Sequence, residues 1–130
     1  MMKKIISKKK LVAGVLSAVL MFGMTVLPVN AESVTTNTYN TSSTYVLYVR
    51  EIGSTDLLGT MTLSKDTSYV YNTFTASQPC KETTTFVSNM SSSYSPKTVT
   101  SLAINASVIA KKYVRNATNV YGYCTVEYND

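Results

Sequence analysis

Histidine is absent from the 130-residue chain, and so is tryptophan. Without an imidazole there is no Ser-His-Asp relay and no histidine ligand for a metal. Only two cysteines are present, Cys80 and Cys124, which is too few for a zinc site. Acidic residues number seven, and no D-x-[DN]-x-[DN]-G run marks a calcium loop. Paired carboxylates for glycoside hydrolysis have few candidates. Asp56 and Asp66 fall in turn-like stretches, and Glu51, Glu82 and Glu127 lie in or beside strand-like ones. The spacing S-x-x-K occurs only at Ser7–Lys10. These absences predict a protein that is not an enzyme and uses no cofactor and no metal.

Charge is scarce and unevenly placed. Five of the 12 basic residues (Lys3, Lys4, Lys8, Lys9, Lys10) lie in the first ten positions, and Leu11 to Leu27 carries no charge. Pro28 and the small-residue exit Val29-Asn30-Ala31 follow. A basic head, an apolar run and a small-residue exit are the three parts of a secretory signal peptide. The run is shorter than the ~20 apolar residues that span a bilayer comfortably. The reading is therefore a signal peptide over residues 1–31, helical before its removal, cleaved ahead of Glu32. In style the lysine-rich head resembles export signals of Gram-positive bacteria. The expected location is extracellular, with membrane contact only through the leader before cleavage.

Beyond residue 31 the remaining seven basic residues balance the seven acids. A nucleic-acid partner thus loses its electrostatic support. Cys80 and Cys124 both survive in this part, and an even count outside the cytosol predicts one disulfide. In the chain-entropy account such a bridge stabilises by up to ~4 kcal/mol.

All ten tyrosines also lie beyond residue 31, among many serines and threonines. Thr, Val and Tyr favour pleated, half-buried surfaces. Residues 32–43 are polar without apolar periodicity and read as a flexible lead-in or a weak first strand. Tyr45–Arg50 and Leu57–Ser64 read as a hairpin, with Gly59 marking a bulge. Ser68–Ala76 alternates, with Val70, Phe74 and Ala76 on one side and Asn72 set awkwardly among them. Lys81–Met90 is a weaker strand, and Ser91–Pro96 a loop by composition. From Thr98 a strand begins, but over residues 105–113 periodicity leaves strand and helix open, with strand favoured. Val120–Tyr128 closes the series, with Val120, Gly122, Cys124, Val126 and Tyr128 on the inner side. The expectation is all-β: a small antiparallel sandwich or barrel of six or seven strands over residues 44–130.

Tyr48, Tyr69, Tyr71, Tyr121 and Tyr123 fall on outward sides of their strands. Tyr combines a broad apolar ring with a polar tip at low entropy cost, which suits contacts to proteins and sugars. The sequence therefore points to an extracellular module for adhesion or recognition. Its ligand-binding residues would be these five tyrosines, and its partner a protein or glycan surface. The alternative is a bacteriocin-like or membrane-active toxin. That would need an apolar face to open, for which Leu102–Ile109 is the one candidate stretch.

Overall fold

Alternation of period two runs through the middle of the chain, and in the computed structural model, which describes residues 31–129, it becomes two packed sheets. Nine strands follow in order. They are β1 (Ala31–Thr35), β2 (Tyr39–Thr41), β3 (Tyr45–Arg50), β4 (Leu57–Lys65), β5 (Tyr69–Ala76), β6 (Cys80–Ser88), β7 (Ser95–Leu102), β8 (Ser107–Tyr113) and β9 (Val120–Asn129). One sheet has the order β1-β9-β6-β7, with β2 also pairing β9, and the other β3-β4-β5-β8. Every pairing is antiparallel. The protein is thus the expected all-β sandwich, with nine strands among the described residues where six or seven are expected. The expected signal-peptide helix lies outside the described residues.

The additional strands come from residues 32–43. That segment is no flexible lead-in: β1 and β2 pair with successive parts of β9, Ala31–Thr35 against Thr125–Asn129 and Tyr39–Thr41 against Val120–Gly122. Between them Thr36 bonds β9 in another way. Its N–H donates to the Cys124 carbonyl (3.0 Å), and its hydroxyl accepts from the Cys124 N–H (3.1 Å). Central strands offer hydrogen bonds on both sides, so a polar segment with little apolar surface is held by its backbone.

Inner faces match the alternation. On β5 the buried residues are Val70, Asn72, Phe74 and Ala76, and on β9 Val120, Gly122, Cys124, Val126 and Tyr128. With Leu58, Met61, Leu63, Val87, Val108 and others they form one core between the sheets. The bulge anticipated at Gly59 falls beside it: Val49 pairs Gly59 and Arg50 pairs Leu57, leaving Leu58 as the extra residue. In the following loop Gly53 has φ +68°, and the Ser54 N–H donates to the Glu51 carbonyl (3.3 Å). A type II turn requires that left-handed backbone at its third residue.

Residues 105–113 resolve as strand from Ser107 onward. The chain leaves one sheet at Leu102 and joins the other at Ser107. The crossing is pinned to β5: Asn105 N–H donates to the Ala76 carbonyl (2.8 Å), and Ala76 N–H to the Ala106 carbonyl (3.0 Å). A single strand through 102–110 would have kept Ile104 inside, but the turn puts it 55% exposed.

One polar side chain joins the two sheets. Asn72 is fully buried on β5, and its Nδ2 donates to the carbonyls of Phe86 on β6 (3.0 Å) and Tyr123 on β9 (3.1 Å). Gly122 makes room for it. A Cβ there would meet Leu63 Cδ2 at 2.5 Å, Asn72 Nδ2 at 2.9 Å and the Phe86 carbonyl at 2.9 Å. At the other end of β9 the Ile52 N–H donates to the buried Tyr128 hydroxyl (3.0 Å), tying the β3–β4 loop to the opposite sheet.

The cysteines overturn an expectation. Cys80 and Cys124 are both buried and not bonded to each other. They lie on adjacent strands, but Cys124 pairs with Thr85, five positions along from Cys80. Each strand position adds ~3.3 Å, whereas a disulfide needs its Cα atoms within ~7 Å. An even count does not make a pair: each thiol fills core space on its own. Burial pushes both thiols up, Cys124 to about 12. Reducing agent is therefore expected to leave the melting temperature unchanged, and a thiol reagent to modify both cysteines only after unfolding. A drop in melting temperature on reduction would contradict this arrangement.

Candidate recognition surface

A sandwich has two outer faces pointing in opposite directions, and the five candidate tyrosines divide between them. Tyr48, Tyr69 and Tyr71 are on the outside of the β3-β4-β5-β8 sheet, and Tyr121 and Tyr123 on the outside of the other. Period two tells which side of its strand a residue takes, and not which sheet that strand joins.

On the Tyr121 and Tyr123 face the aromatic groups are already packed on one another. Tyr123 stacks on Phe86 (centroids 4.3 Å apart, planes 12°) and meets Tyr94 edge-on at 5.2 Å. Burial pushes the Tyr94 phenol up. The next row across the sheet is Thr35, Thr125, Thr84 and Thr98, with hydroxyl pairs at 3.1 Å (Thr35–Thr125) and 2.7 Å (Thr84–Thr98). Beyond it Glu127 and Glu82 sit opposite each other, with Lys81 3.9 Å from Glu127.

The other face is more open. Val46, Tyr48, Ile109 and Tyr113 on it are 46, 60, 50 and 64% exposed. Between them run Thr60, Thr62, Thr73 and Thr75, in register across β4 and β5. At one corner Tyr113 on β8 lies opposite Tyr69 on β5, edge-on at 5.6 Å and 81°. Tyr71 tilts against Tyr69 at 6.0 Å, and Lys111 Nζ stands 4.9 Å from the Tyr69 ring centre. A cation over an exposed ring contributes ~0.5–1 kcal/mol.

Asp66 fixes this corner. Its Oδ1 accepts from the N–H groups of Ser68 and Tyr69, both at 2.8 Å, forming an Asx turn between β4 and β5. Its Oδ2 accepts from the Tyr71 hydroxyl at 2.6 Å. That hydroxyl, then the two backbone N–H groups, hold the carboxyl below its ordinary 3.8, with a small further contribution from Lys111. The same bond raises the Tyr71 phenol above 10.0. The carboxylate therefore adds stability that is complete above the unfolded value and lost as pH falls through the lower folded one. Asp66→Asn is expected to remove that acid-side dependence and to move the Tyr71 ultraviolet titration to lower pH. An unmoved phenol would refute the bond.

Sequence reasoning missed Asp66, Lys111 and Tyr113 as neighbours of Tyr69 and Tyr71. The last two lie in the segment whose periodicity was ambiguous, so their register with β5 was not readable. It also missed a serine–lysine contact. Lys112 Nζ lies 3.4 Å from Ser88 Oγ and donates to the Ser93 carbonyl at 2.7 Å. Ser88 is fully buried and donates to the Ser92 carbonyl at 2.6 Å, so the contact ties the β6–β7 loop. No group of three or more potential metal ligands occurs among the described residues. In Leu102–Ile109, Leu102 and Val108 are core residues. Comparison with protein-family models, curated proteins and solved structures finds no match to this chain.

Proposed function

We propose that the protein is a secreted, non-catalytic recognition module that holds a glycan chain on the outer face of its β3-β4-β5-β8 sheet. The observation that carries this reading is the corner of Tyr69, Tyr71 and Tyr113, flanked by Asp66 and Lys111 beside the threonine rows of β4 and β5. Aromatic rings offer apolar faces to the C–H sides of sugar rings, while hydroxyl, carboxylate and ammonium groups can bond their hydroxyls. The rings stand on paired strands, so little conformational entropy is lost on binding. Tyr48 and the Thr60–Thr75 pair extend the same surface toward the opposite edge.

Retention of the purified protein on insoluble polysaccharides, peptidoglycan among them, tests the reading. Tyr113→Ala and Tyr69→Ala should each weaken retention about tenfold, the equivalent of ~1.4 kcal/mol. Tyr121→Ala should leave retention unchanged, because it lies on the other sheet. Equal loss from both faces, or retention unaffected by Tyr69→Ala and Tyr113→Ala together, would refute a site at this corner. Dye release from liposomes without polysaccharide retention would favour the membrane-active alternative.

A further inference from the structure

A sandwich of two open sheets has four edges, and each edge strand exposes unpaired N–H and C=O groups that can pair with another chain. Three of the four carry features that oppose such pairing. The edge formed by β1 and β2 is interrupted at Thr36–Thr38. Strand β7 has Pro96, which lacks an N–H, Lys97, and a left-handed backbone at Ser101 (φ 56°). Strand β8 carries Lys111 outward, and Lys112 turns back to the Ser93 carbonyl. The fourth edge, β3, is different. Its sequence YVLYVR has no proline and no lysine, and its one charge, Arg50, sits at the end and donates to the Thr55 carbonyl (2.7 Å). Among the described residues β3 pairs only with β4.

We infer that β3 is a self-pairing edge, through which two copies of this chain join antiparallel into one continuous eight-stranded sheet. The register follows from the faces. Tyr45, Leu47 and Val49 point inward, and Val46 and Tyr48 outward. Residues opposite each other in an antiparallel pair share a face, so inward residues must meet inward residues. Centring the two-fold axis on Leu47 does this along the whole strand. Leu47 meets Leu47, Tyr45 meets Val49, and each exposed Val46 covers the Tyr48 of the other copy. Aromatic and β-branched side chains are favourable cross-strand neighbours. In this register Arg50 lies opposite Thr44, so no like charges meet. Centring on Tyr48 instead would set Arg50 against Val46.

Two further properties follow. An interface of one short strand per copy falls in the small, transient class, so the dimer is weak and depends on concentration. It is also closed. Pairing uses the one unprotected edge of each copy, and the other three resist it, so growth stops at two. The two outer faces then lie side by side.

Sedimentation of the purified protein from micromolar to millimolar concentration tests the inference. The expected result is a shift from monomer to dimer and no larger species. Val46→Lys/Tyr48→Lys changes only outward residues. It should keep the wild-type melting temperature and remain monomeric, because its register sets lysine against lysine. Val46→Glu/Tyr48→Glu should behave alike. An equimolar mixture of the two variants should dimerise at concentrations at least tenfold below those at which either alone does. A wild-type protein that stays monomeric to millimolar concentration, or that grows beyond two copies, would overturn the inference. So would a lysine variant that dimerises as well as wild type, or a mixture that gains nothing.

Discussion

Asn72→Asp is expected to fold in acid and to be severely destabilised at neutral pH. The wild-type amide nitrogen lies between two carbonyls, those of Phe86 and Tyr123. A carboxylate in its place would set an anion against two acceptors at a fully buried position. A buried charge without a partner costs about 3–5 kcal/mol, a large part of the ~5–15 kcal/mol that holds a domain together. Protonated, the same group is close in shape to the amide and can still donate one hydrogen bond. Burial raises its folded pKa above the unfolded value near 3.9. Stability is therefore retained below the unfolded value and lost as pH rises through the folded one. Urea unfolding at pH 3 and pH 7 reads this directly. An equal deficit at both pH values would mean that the amide acts through its shape alone.

Phe74→Ala should cost about 3–5 kcal/mol, the range for deleting a buried aromatic ring. Phe74 is fully buried on β5, between Met61 on β4 and Val108 on β8. Gly59 lies so close that a Cβ there would collide with the ring and with the Thr75 carbonyl. The surrounding backbone is paired on both sides and has little freedom to collapse into the space. Phe86→Ala is the comparison. That ring lies on an outer face, half-buried and stacked on Tyr123, and its removal should cost less than half as much. Denaturant midpoints at unchanged slope measure both. Equal losses would place the core elsewhere.

Both residues illustrate what the chain reveals by itself. Alternation through YVYNTFTA shows the inner side of β5 and marks Asn72 as the residue out of character. The reason for that residue is invisible without the other sheet, because its partners are carbonyls 14 and 51 positions away. The bulge beside Gly59 and the inner side of β9 were legible for the same local cause. Cys80 and Cys124 were not, since a count of thiols carries no register. The tyrosines were legible as outward and not as neighbours. Tyr113 meets Tyr69 only because β8 crosses from the other sheet to pair with β5. That crossing depends on the turn at Asn105, whose left-handed backbone (φ 69°) has no apolar signature.

Strand β9 is the last of the nine in chain order, yet it lies between β6 on one side and β1 and β2 on the other. Among the described residues, β1 and β2 pair with no strand but β9. A chain that emerges from its beginning holds β1 and β2 without their β9 partner until Val120–Asn129 has appeared. Assembly then brings together residues some 90 positions apart, a topology that folds late and comparatively slowly. The sheet that holds β1 and β2 is therefore completed only once β9 is in place, whatever has formed before it.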